Sequence, residues 1–179
     1  MTPNPQYHKD LPRFVAEEFV EGNFLGLPSK DGEPDIVVLQ VPYELTTSYG
    51  QGTAQGPAAC VAASGQVELF DPMIGQDLPA GYNIYTAPEW TEKGNTLQQQ
   101  LASISKYLSE WNNGRSFPVI LGGEHGILPA VVDSLGKHPA IDGDYSKLNI
   151  VQIDAHADLR EELGGEPFSH ACAAALSLI

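Results

Sequence analysis

The chain has 179 residues, enough for one domain with its own core, and 42% of them are hydrophobic. Nine Lys and Arg stand against 23 Asp and Glu, a net charge of −14 with no basic patch, which argues against nucleic acid and anionic membranes as partners and suits a small cationic substrate. Cys60 and Cys172 lie in unrelated contexts, residues 1–10 lack the pattern of a secretory leader, and no apolar run approaches the ~20 residues of a spanning helix, so a reducing cytoplasm is the expected compartment.

Residues 1–34 read as an N-terminal extension with a short helix over 11–21, where Leu11, Val15 and Phe19 share a stripe and Gly22 stops it. The domain proper is expected over 35–179. It begins with an unbroken apolar run, 35–41, the pattern of a parallel strand buried on both faces. Pro42 ends that strand and opens a Gly-, Ser- and Thr-rich loop to Pro57, long enough to suggest a part in a site. Pro57 then starts a helix that runs to about Ser64. Short strands are expected at 67–70 and 82–85. Asn95 reads as a helix N-cap with Gln98 completing a capping box, and Leu97, Leu101, Ile104, Leu108 and Trp111 form the apolar face of the helix that follows. This stripe is core packing.

A second buried strand is expected at 117–121. Gly122-Gly123-Glu124-His125-Gly126 turns it into a helix carrying Ile127, Leu128, Val131, Val132 and Leu135. After a polar connection, residues 149–153 are strand-like and run straight into Asp154, His156 and Asp158. Alternate residues of an extended chain point to one face, so these three side chains would converge at a strand end, with Ala155 and Ala157 opposite. The alternation of strands and helices predicts an α/β domain, three layers deep with a parallel sheet, whose site lies beyond the carboxyl ends of the strands. His125 and the Asp154 to Asp158 cluster both fall there.

Imidazole and carboxylate donors without thiolate favour Mn²⁺, with Fe²⁺, Co²⁺ and Zn²⁺ as competitors. Asp154 is the natural bridge between two ions, with His125 and Asp158 on one and His156 on the other. Ions ~3.5–4 Å apart would generate hydroxide at neutral pH. Taken singly, His125 is better explained as an ordinary hydrogen-bonded residue at a strand–helix junction; the paired motifs carry the reading.

Gly-Gly-Glu-His at 122–125, Asp-Ala-His-Ala-Asp at 154–158 and the loop Thr47-Ser-Tyr-Gly-Gln-Gly-Thr-Ala-Gln-Gly-Pro57 resemble the arginase and agmatinase family, the ureohydrolases. The Thr-Ser-Tyr-Gly loop, together with Asp158-Leu-Arg and Gly-Glu-Pro-Phe-Ser-His170, is most similar to the agmatinase branch. The resemblance implies hydrolysis of agmatine to putrescine and urea, as in polyamine synthesis, by a hydroxide bridging two Mn²⁺ ions, in a homo-oligomer. By the same match Asp158 would also hydrogen-bond that hydroxide, and His170 would lie near the substrate and relay a proton. Without the family, His170 reads as a loop residue in solvent.

The pattern has departures. Gly126 replaces a usual Ser, and the family's Ser-x-Asp-x-Asp motif and later substrate-facing Glu have no counterpart after Asp158; Asp142 and Asp144 have the spacing but lie upstream. The family sheet has eight parallel strands in the order 2-1-3-8-7-4-5-6, and this chain is expected to hold strands one to four, the front part of an agmatinase-like enzyme with impaired activity. Arginine, guanidinobutyrate and formiminoglutamate are alternative substrates. Two readings of a different kind stand beside these: a non-catalytic remnant binding at most one metal or a partner subunit, and a deacetylase-like single-zinc amidohydrolase.

Overall fold

The unbroken apolar run becomes the centre of the sheet. In the computed structural model, which describes residues 19–91 and 94–178, β1 is Ile36–Val41. Val37, Val38, Leu39 and Val41 are at most 1% exposed. Burying each such side chain contributes roughly 1.5–3 kcal/mol, and only a central strand buries both faces. After β1 the chain crosses over through α1 (Gly56–Ser64), which starts where Pro57 predicts. The expected helix over 11–21 lies mostly outside the described residues; those it reaches, 19–21, are not helical.

The strand expected at 67–70 is corrected to a short hairpin. β2 (Phe70–Asp71) pairs antiparallel with β3 (Gln76–Asp77), and Val67 sits in a turn after α1. The Asp71 carboxylate accepts the Met73 N–H at 2.7 Å, an Asx turn that reverses the chain before a longer strand can extend. The strand expected at 82–85 forms two residues later as β4 (Ile84–Thr86), parallel to β1 with Val38 beside Thr86.

The helix α2 (Leu97–Ser109) has the predicted apolar face, with Ile104 and Leu108 fully buried. Its cap is Thr96 and not Asn95. The Thr96 hydroxyl accepts the Gln99 N–H at 3.2 Å, and the Gln99 side chain accepts the Asn95 N–H at 2.8 Å. The cap therefore lies one residue further on, and the returning Gln99 side chain takes the N–H of the residue before the cap in a variant of the capping box.

β5 (Phe117–Gly122) pairs parallel with β1 along its whole length, from Ile36 beside Phe117 to Val41 beside Gly122. The sheet order is β4-β1-β5. α3 (Leu128–Leu135) follows a single 3-10 turn at His125–Ile127 and packs against α2. Val37, Leu39 and Val41 cluster with Tyr43, Trp90, Leu101, Ile104, Leu108 and Ile127 on that side. Alternation puts Val38 and Gln40 on the other face, toward α1, which contacts both β1 and β5. Helices thus cover both faces of a parallel sheet.

The strand expected at 149–153 does not form. Val151 is 86% and Ile153 98% exposed, and the segment runs as irregular chain past the carboxyl end of β5. The physical reason lies in its neighbours. A strand exists only through ladder bonds to flanking strands, and among the described residues none lies on the outer side of β5. The tail becomes a 3-10 turn (His170–Cys172) running into α4 (Ala173–Ser177), which packs on α3. No helix among the described residues is long and apolar enough to cross a membrane.

Candidate metal centre

Beyond the carboxyl ends of β1 and β5 the chain makes two close approaches. Gly123 donates its N–H to the Val41 carbonyl at 3.1 Å, continuing the β1–β5 ladder by one bond. A Cβ on Gly123 would lie 2.3 Å from the Tyr43 carbonyl oxygen, so only glycine lets the loop after β1 cross here. That loop is closed on itself by the Glu44 carboxylate, which accepts the N–H groups of Gly52 at 2.7 Å and Ala54 at 3.0 Å. These bonds, the one from Ala54 foremost, hold its pKa below the usual carboxylate range.

The turn after β5 delivers His125 between two aspartates. Its Nδ1 lies 3.1 Å from Asp154 Oδ2 and its Nε2 3.3 Å from Asp158 Oδ2. One donor atom from each of the three residues falls within 4.8 Å of the others, the spacing of ligands around a single cation. The segment around Asp154 is exposed, yet its side chain turns inward and is only 22% exposed; that of Asp158 is 9% exposed. The His156 N–H donates to Asp154 Oδ1 at 2.9 Å and is the largest reason the Asp154 carboxyl is held acidic, with the nearby His125 adding to it.

His156 is not brought into the cluster. Its imidazole is 80% exposed, with Nδ1 3.7 Å from Asp154 Oδ1. The strict alternation expected of 154, 156 and 158 is broken by a bend at residues 155–156, and Asp158 then adopts a positive φ of 50°. The Asp154 carboxylate nevertheless has His125 at one oxygen and His156 near the other.

Asp158 is fixed from a direction that sequence reading missed. Its carbonyl accepts the N–H groups of Ala174 at 3.1 Å and Ala175 at 3.2 Å, so the first turn of α4 binds it. The run of small residues 173–175 was the available signal. His170 begins the preceding 3-10 turn, with its ring centroid 5.9 Å from that of His125. Its Nδ1 is buried and has no hydrogen-bond partner among the described residues. It is therefore no solvated loop residue. Asp142 and Asp144 are not among the clustered residues; Asp144 caps a 3-10 turn by accepting the Ser146 N–H at 3.3 Å, and the Ser146 hydroxyl, donating to the same carboxylate at 2.6 Å, lowers its pKa.

The donor set fits a divalent cation held by one imidazole and two carboxylates, hard and borderline ligands without sulfur. A cleft of about 440 Å³ adjoins it, walled by Ile120, Ile127, Leu128 and Ile150 and open to solvent.

A parallel α/β sheet with a His, Asp, Asp cluster beyond its strand ends defines the class of protein: an α/β domain with a candidate cation site. Residues 34–178 match the model of the Arginase family, and the chain belongs to that family. It is 31% identical over 141 residues to the N(1)-aminopropylagmatine ureohydrolase of Synechocystis sp., covering 76% of this chain and 44% of that protein. It is 31% identical over 138 residues to the agmatinase of Bacillus anthracis, covering 77% and 45%. The chain spans a little under half the length of these curated relatives. Among solved structures it resembles the agmatine ureohydrolase of Thermoplasma volcanium, with a TM-score of 0.69 and 23% identity, covering 93% of this chain and 51% of that one. The proclavaminate amidino hydrolase of Streptomyces clavuligerus gives a TM-score of 0.68 and 22% identity, covering 90% and 51%.

Proposed function

We propose that residues 35–179 form part of a guanidino hydrolase of the agmatinase type, which converts agmatine and water to putrescine and urea, and that residues 1–34 precede it as an extension. The observation that carries this reading is the convergence of His125, Asp154 and Asp158 within 4.8 Å, with His170 beside them. The agmatinase and aminopropylagmatine ureohydrolase relatives support the substrate class, and the net charge of −14 suits a cationic substrate. Mn²⁺ is the proposed ion, the assembly a homo-oligomer and the compartment the cytoplasm.

A guanidinium carbon is a poor electrophile because resonance spreads its charge, so its hydrolysis needs a strong nucleophile held in place. A bound divalent cation supplies this by lowering the pKa of water toward neutrality. His125, Asp154 and Asp158 would hold that ion, and Asp154 Oδ1 with His156 would offer a start on a second. By this reading the carboxylate of Asp158 would also accept a hydrogen bond from the attacking water. His170, half-buried and with a free Nδ1, is the group proposed to pass a proton to the departing amine, which must be protonated before it leaves.

Three clustered ligands suit one ion better than two. The expected outcome for the purified chain is therefore at most one Mn²⁺ per chain after desalting and little or no urea from agmatine. Metal analysis and a urea assay on the same sample check both. Two tightly held ions with urea release at a rate ordinary for such enzymes would overturn the impairment, and no bound Mn²⁺ at millimolar concentration would overturn the metal site itself.

A further inference from the structure

Glu124 is 9% exposed, and both of its carboxylate oxygens are committed to one residue. Oε2 accepts the Thr46 main-chain N–H at 3.0 Å, and Oε1 accepts the Thr46 hydroxyl at 2.7 Å. The Thr46 oxygen in turn accepts the main-chain N–H of His170 at 2.8 Å. The direction of this relay is fixed by chemistry. An ionised carboxylate only accepts and a main-chain N–H only donates, so the hydroxyl between them gives its one proton to Glu124 and offers a lone pair to His170. Each bond polarises the other, and charge on the carboxylate strengthens both.

Glu124 is itself anchored, its N–H donating to the Tyr43 carbonyl at 3.0 Å. Room for its carboxylate comes from Gly126, where a Cβ would stand 2.8 Å from Glu124 Oε1. A side chain at 126 would displace the end of the Glu124 side chain from this position. Residues 78 and 124 positions apart in sequence are thus fastened at one point, next to the ring of His125.

We propose that Glu124 and Thr46 are positioning residues, a carboxylate–hydroxyl strap that holds the His170 backbone, and with it the imidazole, against His125 before any metal or substrate arrives. The proposal deepens the hydrolase reading and rests on it only for the use made of His170; the strap itself needs neither ion nor turnover. Without it the turn at 170–172 would keep its hold on Asp158 through α4 but lose its tie to the loop after β1.

The test is NMR of the isotope-labelled full chain without metal, reading the nuclear Overhauser cross-peak between the His125 and His170 rings and the exchange rate of the His170 amide. The Tyr43–Trp90 ring contact, 6.5 Å between centroids, reports the intact core. Thr46→Val keeps the shape of the side chain and removes the hydroxyl. It is expected to abolish the histidine cross-peak and raise His170 amide exchange at least tenfold with the Tyr43–Trp90 cross-peak unchanged, whereas Thr46→Ser restores both. Glu124→Gln, which keeps one accepting oxygen, is expected to fall between. An unchanged cross-peak and an unchanged amide in a folded Thr46→Val variant overturn the strap. Should that variant lose its core signal, wild-type exchange decides: a protected His170 amide supports the strap, and exchange at the rate of an open loop overturns it. Mn²⁺ added afterwards separates the two ideas, since an intact strap with no metal binding counts against the hydrolase reading alone.

Discussion

Asp158 combines two demands that only a few residue types meet. Its backbone sits in the left-handed region, φ 50°, which aspartate and asparagine tolerate and other non-glycine residues resist, while its carboxylate faces His125. Asp158→Asn is therefore expected to keep the melting temperature within about 2 °C and to weaken Mn²⁺ binding at least about tenfold, the scale of loss seen even for partners one step removed from an ion. Asp158→Val adds backbone strain of order 1–3 kcal/mol and should lower the melting temperature as well. Calorimetric Mn²⁺ titration and thermal melts of both variants separate charge from conformation. Tyrosines give a second measure. Burial raises the Tyr107 hydroxyl to about 12, with Glu110 and Glu89 adding to it, and burial together with Glu124 raises Tyr43 further. A folded-state pKa above the unfolded value of ~10 favours the fold while the phenol is neutral. That stability is complete below about pH 10 and is lost as pH rises through about 12. Tyrosinate absorbance should accordingly show a late fraction that appears together with loss of the near-ultraviolet dichroism of the core; full titration by pH 11 with the core intact would contradict it.

At the level of elements, the cap of α2 shows how close sequence reading comes and where it stops. Asn95 and Thr96 are both good cap residues, and which one acts depends on which side chain finds the N–H three positions on. Thr96 does, through Gln99. Thr96→Ala should cost about 1 kcal/mol, while Asn95→Ala, whose side chain caps nothing, should stay within about 0.5 kcal/mol. Chemical denaturation of the two variants decides between the residues. The apolar stripe of α2, the uniform run of β1 and the proline start of α1 were all legible because each is a local pattern with a single physical cause, burial or a preset φ. The short strands near 67–71 and 82–86 were only half legible. Two- and three-residue strands carry too little pattern to compete with the turn chemistry of Asp71 or to fix a register.

At the scale of the molecule, the sheet stops at β5. Its outer edge has no partner among the described residues, and Phe117 is 69% exposed at its start. Open edges and exposed apolar side chains promote association. Two outcomes follow for the wild-type chain and its edge. Amides of 150–153 should exchange at nearly the rate of unstructured chain while those of 37–41 are the slowest in the protein, a contrast mass spectrometry reads directly. Replacing Val151 and Ile153 together by Lys should reduce concentration-dependent association in sedimentation runs with less than about 0.5 kcal/mol change in stability, since both side chains are at least 86% exposed.

The sequence by itself determined the class of fold, the family and three side chains that cluster, His125, Asp154 and Asp158, because buried runs, helical periodicity and the paired Gly-Gly-Glu-His and Asp-Ala-His-Ala-Asp motifs are local facts. Only the tertiary structure decided that 149–153 is not a strand, that His156 stands outside the cluster, and that His170 is tied through Thr46 to Glu124. A strand needs a neighbour to bond to, a ligand needs a backbone turn that aims it, and a strap joins residues more than a hundred positions apart. None of these is written in a local pattern, since each depends on which distant backbone groups come within hydrogen-bond reach.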